Sequence, residues 1–150
     1  MSVELDEIDR KILNMLQSDA RTPFASVARE LKVSEATVRF RVKKLIKKGV
    51  ITRFIALLDP RKIGLSVTAI IMAKVDPTLL EEAFEHLASF NETHHVFQGT
   101  GEYDIVAVVH ARDMVHLSEL RKRVKMIPGI KDALVSATTR LMKIESTFKL

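Results

Sequence analysis

Residues 34–53 contain most of the excess positive charge of this sequence. The basic side chains there are Arg39, Arg41, Lys43, Lys44, Lys47, Lys48 and Arg53. Seven positive charges against one negative charge, Glu35, give the segment +6, whereas the whole 150-residue chain carries +5. Guanidinium and ammonium groups bind phosphate oxygens, so this local excess is typical of a surface that meets a nucleic acid. A solvated helix face that maintains solubility is the simpler alternative.

A second group of residues whose types could bind a ligand is the run at residues 99–104. Its members are Gly99, Thr100, Gly101, Glu102, Tyr103 and Asp104. Two glycines in three positions allow positive φ and close approach, so the loop N–H groups are expected to cradle a carboxylate. Asp104 can accept a hydrogen bond from an ammonium group, which is the other end of a free amino acid. A tight hairpin connection without a ligand is the alternative.

Two further features refine this predicted amino-acid site. Glu102 adds a second carboxylate and favours a ligand with a polar or basic side chain. Three hydroxyl residues of the final strand region are predicted to line the same site: Ser136, Thr138 and Thr139.

The composition argues against several other kinds of chemistry. The chain has no cysteine, which excludes a disulfide framework, a thiolate zinc site and a cysteine nucleophile. No phosphate-binding glycine loop, nucleophile elbow or metalloprotease motif occurs, so we predict no catalytic residue, no cofactor and no enzymatic activity. His94 and His95 would face opposite sides of a regular strand, so we predict no metal site.

Length and hydropathy set the expected context of the chain. With 150 residues the sequence forms one ordinary domain or two small ones. It lacks an apolar run of the ~18 residues that a membrane helix needs, and its acidic start does not resemble a signal peptide. We therefore expect an intracellular, cytoplasmic protein with no membrane partner.

Three short helices are expected to present the basic segment. Apolar spacing predicts the first helix over residues 6–18, and Thr22 and Pro23 indicate the start of the second. Ser34 is the predicted N-cap of the third, which ends near Gly49. Two short helices joined by a brief turn cross steeply, so we predict a helix-turn-helix whose second helix enters a major groove.

The outward face of the third helix supplies the predicted DNA contacts. Its inward stripe consists of Val38, Val42, Leu45 and Ile46. We predict that bases or the groove wall are met by Thr37, Arg39, Phe40 and Lys43, beside the cap Ser34, and that phosphates are held by Arg41, Lys44, Lys47 and Arg53. Phe40 would contact thymine methyl groups; the alternative is that it packs against the following strand or the other domain.

The second half of the chain predicts a ferredoxin-like βαββαβ domain, similar to RAM and ACT domains, which makes the fold class α+β. Strands are expected over 66–75, 94–98, 105–110 and 134–148, the last range as one strand or two, and helices over 79–90 and 113–127. The β-rich run 50–58 is a candidate wing or interdomain strand. The predicted domains are 1–58 and 65–150, joined by a linker at 59–64. Helices would cover one sheet face, and a second copy of the chain would cover the other to form a homodimer.

Seven short pieces in this order carry a family resemblance. They are 5–13 (LDEIDRKIL), 33–34 (VS), 37–39 (TVR), 41–45 (RVKKL), 49–51 (GVI), 58–60 (LDP) and 99–104 (GTGEYD). The sequence resembles the Lrp/AsnC family of prokaryotic transcription regulators over almost its whole length. The resemblance implies an N-terminal winged helix-turn-helix, a C-terminal ligand-sensing domain, dimers that assemble into octamers, and amino-acid effectors bound between dimers.

This chain departs from the family pattern at two positions. Lys32 stands in the turn where members often have glycine, and a left-handed conformation there would cost a lysine on the order of 1 kcal/mol. Phe40 stands where many members carry a basic residue. The function predicted is sequence-specific transcription regulation that responds to a small amino acid. The alternatives are an amino-acid-binding oligomer without a specific operator, or RNA binding by the exposed sheet.

Overall fold

The structure is a computed structural model that describes residues 3–140, 142–143 and 146–150. Its contacts divide the chain into two compact units. The helical unit comprises residues 1–57 together with 143–150, and the sheet unit comprises residues 58–142. The predicted second domain ended at residue 150, whereas here the last eight residues belong to the helical unit.

The helical unit contains α1 (Glu7–Ser18), α2 (Phe24–Leu31) and α3 (Glu35–Lys47). Ser34 caps α3 as predicted, because its hydroxyl accepts a hydrogen bond from the Thr37 N–H. The predicted cap at the start of α2 is wrong: the Thr22 hydroxyl instead donates to the Asp19 carbonyl, and Pro23 precedes the helix. Lys32 ends α2 with φ 55° and ψ 42°, so it adopts the left-handed conformation that its position predicted.

Apolar side chains on the three helices form the core of the helical unit. The fully or nearly fully buried ones are Ile12, Leu16, Val27, Val38 and Val42. These positions recur every three or four residues within each helix, which is the spacing that places them on one face. The outward side of α3 carries polar residues and Phe40, and Ile46, which was predicted to face inward, is 46% exposed.

The run at residues 50–58 is not a strand. The prediction of a wing or interdomain strand is therefore wrong within the described chain. The β-branched and aromatic residues of this run favour a strand, but a strand also requires a neighbouring backbone with which to pair. Phe54, Ile55, Leu57 and Leu58 remain about half exposed or more.

The C-terminal tail contacts α1 through side-chain amides. Gln17 brackets the backbone of Phe148: its Nε2 donates to the carbonyl at 3.0 Å, and its Oε1 accepts from the N–H at 2.7 Å. Asn14 Nδ2 donates to the Leu150 carbonyl at 3.2 Å. The described residues after 137 form no strand, so the prediction of a strand over 134–148 is corrected to an earlier and shorter one.

The sheet unit has the predicted βαββαβ order. Its elements are β1 (Val67–Val75), α4 (Leu80–Ser89), β2 (Thr93–Gln98), β3 (Ile105–Ala111), α5 (Met114–Lys125) and β4 (Ile130–Ala137). The strands lie in the order β2-β3-β1-β4, and each neighbouring pair is antiparallel. This arrangement is the ferredoxin-like topology expected from the sequence.

Both helices of the sheet unit pack on one face of the sheet. Alternate residues of β1 and β3, such as Ile71 and Ile105, are fully buried against α4 and α5. The intervening residues point to the other face, which no helix of this unit covers. That open face is rich in apolar side chains, namely Ile70, Met72, Phe97, Val106, Val108 and Leu134.

Candidate nucleic-acid interface and ligand loop

Helix α3 presents an exposed basic face with an aromatic side chain in its middle. Phe40 is 68% exposed, so the other described residues of the helical unit do not bury it. Lys43, Lys44 and Lys47 are exposed on the same helix, and Arg53 is exposed beyond its end. None of these four cations forms an ion pair with a described residue, so their charge is available to an external anion.

Three residues near the start of α3 are already ordered by local hydrogen bonds. The hydroxyls of Ser34 and Thr37 lie 2.7 Å apart. Arg39 donates to Glu35 at 2.8 Å, and its guanidinium lies 5.5 Å from the ring centre of Phe24. This exposed pair restrains Arg39 only weakly, because surface ion pairs contribute little and exchange readily.

Arg41 has a different setting from the other basic residues of α3. Its side chain is 24% exposed, and Nη1 donates to Asp6 at 2.5 Å and to Asp9 at 2.9 Å. The Arg41 guanidinium holds the pKa of Asp6 below its ordinary value. Arg41 therefore joins α3 to α1, and this differs from the predicted phosphate contact because two carboxylates already satisfy its charge.

The loop at residues 99–104 makes a close backbone contact at its first glycine. A Cβ on Gly99 would lie 2.7 Å from the Tyr103 carbonyl oxygen, so a larger residue would displace the loop. Gly101 has open space around it. Of the two possibilities that glycine allows here, the structure has the close approach at Gly99; the glycines with positive φ are Gly49, Gly64 and Gly129.

The charged side chains of the loop are tied to β1. The Asp104 carboxylate accepts a hydrogen bond from the Val75 N–H at 2.8 Å, beside a register irregularity between β1 and β4. Lys74 donates to Glu102 at 2.8 Å and lies 5.4 Å from the ring centre of Tyr103. Donation of this hydrogen bond to the Glu102 carboxylate raises the pKa of Lys74. The loop is thus fastened to the end of β1, while Thr100 remains exposed at its tip.

The three hydroxyl residues of the final strand region do not join this loop within one chain. The loop meets β1 at Ala73, whose carbonyl accepts from the Asp104 N–H. Thr138 instead hydrogen-bonds to Thr68, five residues away along β1, and this separation is about 16 Å in a strand. Thr139 follows Thr138 at that remote end. Ser136 pairs with Ile70, so it lies part of the way along the strand. The register of β4 against β1 therefore places these hydroxyl residues away from the loop within one chain, contrary to the prediction of one shared site.

Two of the five histidines contact each other through their rings. His94 and His110 approach edge to face at 4.6 Å between ring centres, and burial lowers the pKa of His110. Among the described residues, no three histidine or carboxylate side chains are grouped closely enough to hold a metal ion. No helix among these residues has the length and apolar character required to cross a bilayer.

Sequence reasoning did not find the carboxylates that engage Arg41 or the lysine that engages Glu102. Asp6 and Asp9 stand at the start of α1, where acidic residues are favourable whether or not they have a partner. Each of these pairs joins residues at least 28 positions apart. No short-range spacing signals such a contact, since helical pairs are recognisable only three or four residues apart.

Two family models together match most of the chain. The model of the AsnC-type helix-turn-helix domain matches residues 5–46, and the model of the Lrp/AsnC ligand binding domain matches residues 68–147. The first range covers α1, α2 and all but the last residue of α3; the second covers the loop at 99–104 and all four strands except the first residue of β1.

Individual proteins resemble the chain over nearly its full length. It is 39% identical to an uncharacterised HTH-type transcriptional regulator of Pyrococcus horikoshii over 142 residues, which cover 94% of this chain and 90% of the relative. AsnC of E. coli has a TM-score of 0.91 at 27% identity, with 99% of this chain and 100% of that chain covered. A regulator of Neisseria meningitidis in complex with L-Met has the same fold, with a TM-score of 0.89 at 24% identity and coverage of 97% and 96%.

Proposed function

This chain belongs to the Lrp/AsnC family of transcriptional regulators, and from that premise we propose that it binds specific duplex DNA through α3 and responds to a small amino acid. The observation that supports DNA binding most directly is the outward face of α3. Exposed cations without ion-pair partners surround an exposed aromatic ring there. Because its partner is chromosomal DNA, we place the protein in the cytoplasm.

The proposed division of labour on α3 follows its geometry. Thr37, Arg39, Phe40 and Lys43, with Ser34 at the helix start, meet base edges or the groove wall, whereas Lys44, Lys47 and Arg53 hold phosphates. Arg41 is omitted because its charge is committed to α1. Phe40 supplies apolar contact with thymine methyl groups, which gives this chain a base preference that a cation at this position would lack.

Selection from a library of random duplexes tests this proposal. Wild-type protein should recover a common motif with two related half-sites, since a dimer presents two copies of α3. Phe40→Ala should weaken binding to that motif without lowering the unfolding temperature, because the ring is exposed. Random recovered sequences, or a stability loss with unchanged binding, would contradict the proposal.

The effector part of the proposal rests on the loop at residues 99–104. The Neisseria meningitidis protein of the same fold binds L-Met, and the ligand binding model covers this loop. We place the effector at Gly99, Thr100, Gly101, Glu102, Tyr103 and Asp104. Backbone N–H groups of the loop would hold the carboxylate, and a carbonyl or a remaining carboxylate oxygen would hold the ammonium group.

Calorimetric titration with each of the twenty amino acids tests the effector proposal. Heat from at least one amino acid is expected. Gly99→Ala should abolish it, because the new Cβ would collide with the Tyr103 carbonyl, whereas Gly101→Ala should retain it. The absence of heat from all twenty would remove the effector, while leaving DNA recognition to be judged separately.

We also assign the open apolar face of the sheet to a homodimer contact. Phe97 and Leu134 are about half exposed on it, and burying such a surface against a second copy is the usual way to remove it from water. Wild-type protein should sediment as a dimer or a larger species. Leu134→Lys should shift it towards monomer, and Val115→Lys on α5 should not. Assembly of dimers into an octamer stays a prediction from the family.

A further inference from the structure

The sheet unit holds an open cavity of about 320 Å³ at the end of the sheet remote from the ligand loop. Its lining residues are Arg61, Ser66, Thr68, Thr138, Thr139 and Arg140. Two of them carry guanidinium groups and four carry hydroxyl groups. The lining contributed by the described chain contains neither a carboxylate nor a large apolar side chain. The volume is at the lower end of the range that small ligands occupy.

Arg61 is held in place before any ligand arrives. It lies in the short helical turn Pro60–Ile63, where Asp59 accepts a hydrogen bond from its backbone N–H at 3.0 Å. The same carboxylate accepts from Arg61 Nε and Nη2, both at 3.1 Å. Nη1 is outside this pairing, so the guanidinium keeps donors for a second anion in a fixed orientation.

Three of the hydroxyl groups are positioned by the sheet. Thr138 donates to the Thr68 carbonyl at 3.0 Å, and the Thr68 hydroxyl lies 2.9 Å from His110 Nδ1. Ser66 donates to the carbonyl of Arg112. The cavity wall is therefore ordered by hydrogen bonds to backbone and to a partly buried ring.

The two remaining lining side chains, Arg140 and Thr139, are not held by hydrogen bonds of this kind to described residues. In the described part of the chain neither forms an ion pair or a side-chain hydrogen bond. Arg140 thus adds a positive charge that is not compensated, beside a second guanidinium that is already oriented. Planar guanidinium groups bind phosphate oxygens bidentately, and hydroxyl groups complete such sites.

We propose that this cavity is a second ligand site, distinct from the loop at residues 99–104, and that it binds a phosphate group. Arg140 and Arg61 bind its oxygens, and Thr139 donates a further hydrogen bond. Arg61 lies on the segment by which the chain enters the sheet unit, and Arg140 on the segment by which it leaves. A bound phosphate therefore joins these two segments and stabilises the unit against unfolding.

Titration of inorganic phosphate into the full-length protein tests this site, with chloride at equal ionic strength as the reference. Saturable binding of one phosphate per chain at this site is expected. Arg140→Met should weaken it at least tenfold, and Thr139→Val should weaken it several-fold. Lys122→Met is the matched control, because Lys122 is an exposed cation of α5 outside the cavity.

Several outcomes would overturn the proposal. These are no saturable binding by the wild type, unchanged affinity in a folded Arg140→Met variant, or a loss caused only by Lys122→Met. Circular dichroism establishes that each variant is folded, and Thr139→Val provides an independent probe. Repeating the titration with saturating duplex DNA identifies the source of the phosphate. Loss of binding indicates the DNA backbone, and unchanged affinity indicates a free phosphate compound; both results support the site.

Discussion

The outward face of α3 and the loop at residues 99–104 use their polar side chains in opposite ways. On α3, Lys43, Lys44 and Lys47 have no ion-pair partner among the described residues, and Phe40 is 68% exposed. In the loop, Glu102 is paired with Lys74, and Asp104 accepts the Val75 N–H. The cations of α3 are therefore available to an external anion, whereas the carboxylates of the loop are paired with groups of their own chain.

This difference teaches which polar residues are informative in a sequence. A helix sorts its side chains by a period of 3.6 residues, so a cation opposite the apolar stripe points outward regardless of the rest of the fold. A loop has no such period, and its partners come from whichever strand lies beside it. Effector binding by the loop should therefore depend on backbone groups more than on its carboxylates.

The largest expected effect comes from removing two charges from α3. The double substitution Lys44→Gln and Lys47→Gln should weaken DNA binding roughly 10- to 100-fold at low salt. It should also reduce the slope of log affinity against log salt by about 2, if each lysine contacts one phosphate. The unfolding temperature should hardly change. Fluorescence anisotropy over a salt series measures both quantities.

A matched pair on α5 provides the control for this comparison. Lys122 and Lys125 are exposed and have no ion-pair partner in the described chain. Replacing both by glutamine removes the same charge elsewhere. An equal loss of DNA affinity would mean that net charge, rather than the face of α3, governs binding.

The next effect separates Arg41 from its neighbours on the same helix. Arg41→Met should lower the free energy of unfolding of the helical unit by roughly 1–3 kcal/mol, because Asp6 and Asp9 lose their partner. DNA affinity of the folded protein should change little. Urea denaturation monitored by circular dichroism measures the free energy of unfolding. A large loss of DNA affinity in the folded variant would show that Arg41 belongs to the DNA interface.

The ion pair between Arg41 and Asp6 makes the stability of the fold depend on pH. Arg41 lowers the pKa of Asp6 from 3.8 in the folded state, so ionised Asp6 stabilises the fold above about pH 4. That contribution is lost as the pH falls through the lower folded value. Wild type should thus lose more stability between pH 5 and pH 2 than Arg41→Met does. Equal losses would contradict the assignment.

A smaller effect is expected in the loop. Asp104→Ala removes the acceptor of the Val75 N–H and should destabilise the sheet unit by about 1–2 kcal/mol. Asp104→Asn keeps a neutral acceptor and should cost less. Thermal unfolding of both variants measures the difference, and unchanged stability in Asp104→Ala would show that this carboxylate is free for a ligand.

The smallest effect belongs to Glu102. Its ion pair with Lys74 is exposed, so Glu102→Gln should change stability by no more than a few tenths of a kcal/mol. The pKa of Lys74 should fall, because Glu102 is the main cause of its raised value. NMR titration of the lysine side chain measures this fall. If Glu102→Gln weakened amino-acid binding while leaving the stability almost unchanged, Glu102 would be a ligand contact.

Most of the element order was predictable because periodicity is a local property. The three helices of the first half and the βαββαβ order of the second follow from apolar spacing and from caps such as Ser34. The left-handed Lys32 was also predictable from the short turn it occupies. The run at residues 50–58 was not, because composition favours a strand but cannot supply the strand that would pair with it.

By itself the sequence determined the two units, their element types and the outward face of α3. Apolar spacing makes these local choices, since each helix or strand must bury one face. Tertiary structure alone decided which charges remain free: Arg41 is taken by carboxylates of α1, and Glu102 by Lys74 of β1. It also carried Thr138 and Thr139 to the end of the sheet away from the loop. An ion pair or a strand register joins residues far apart in the chain, and those separations are set only when the elements pack.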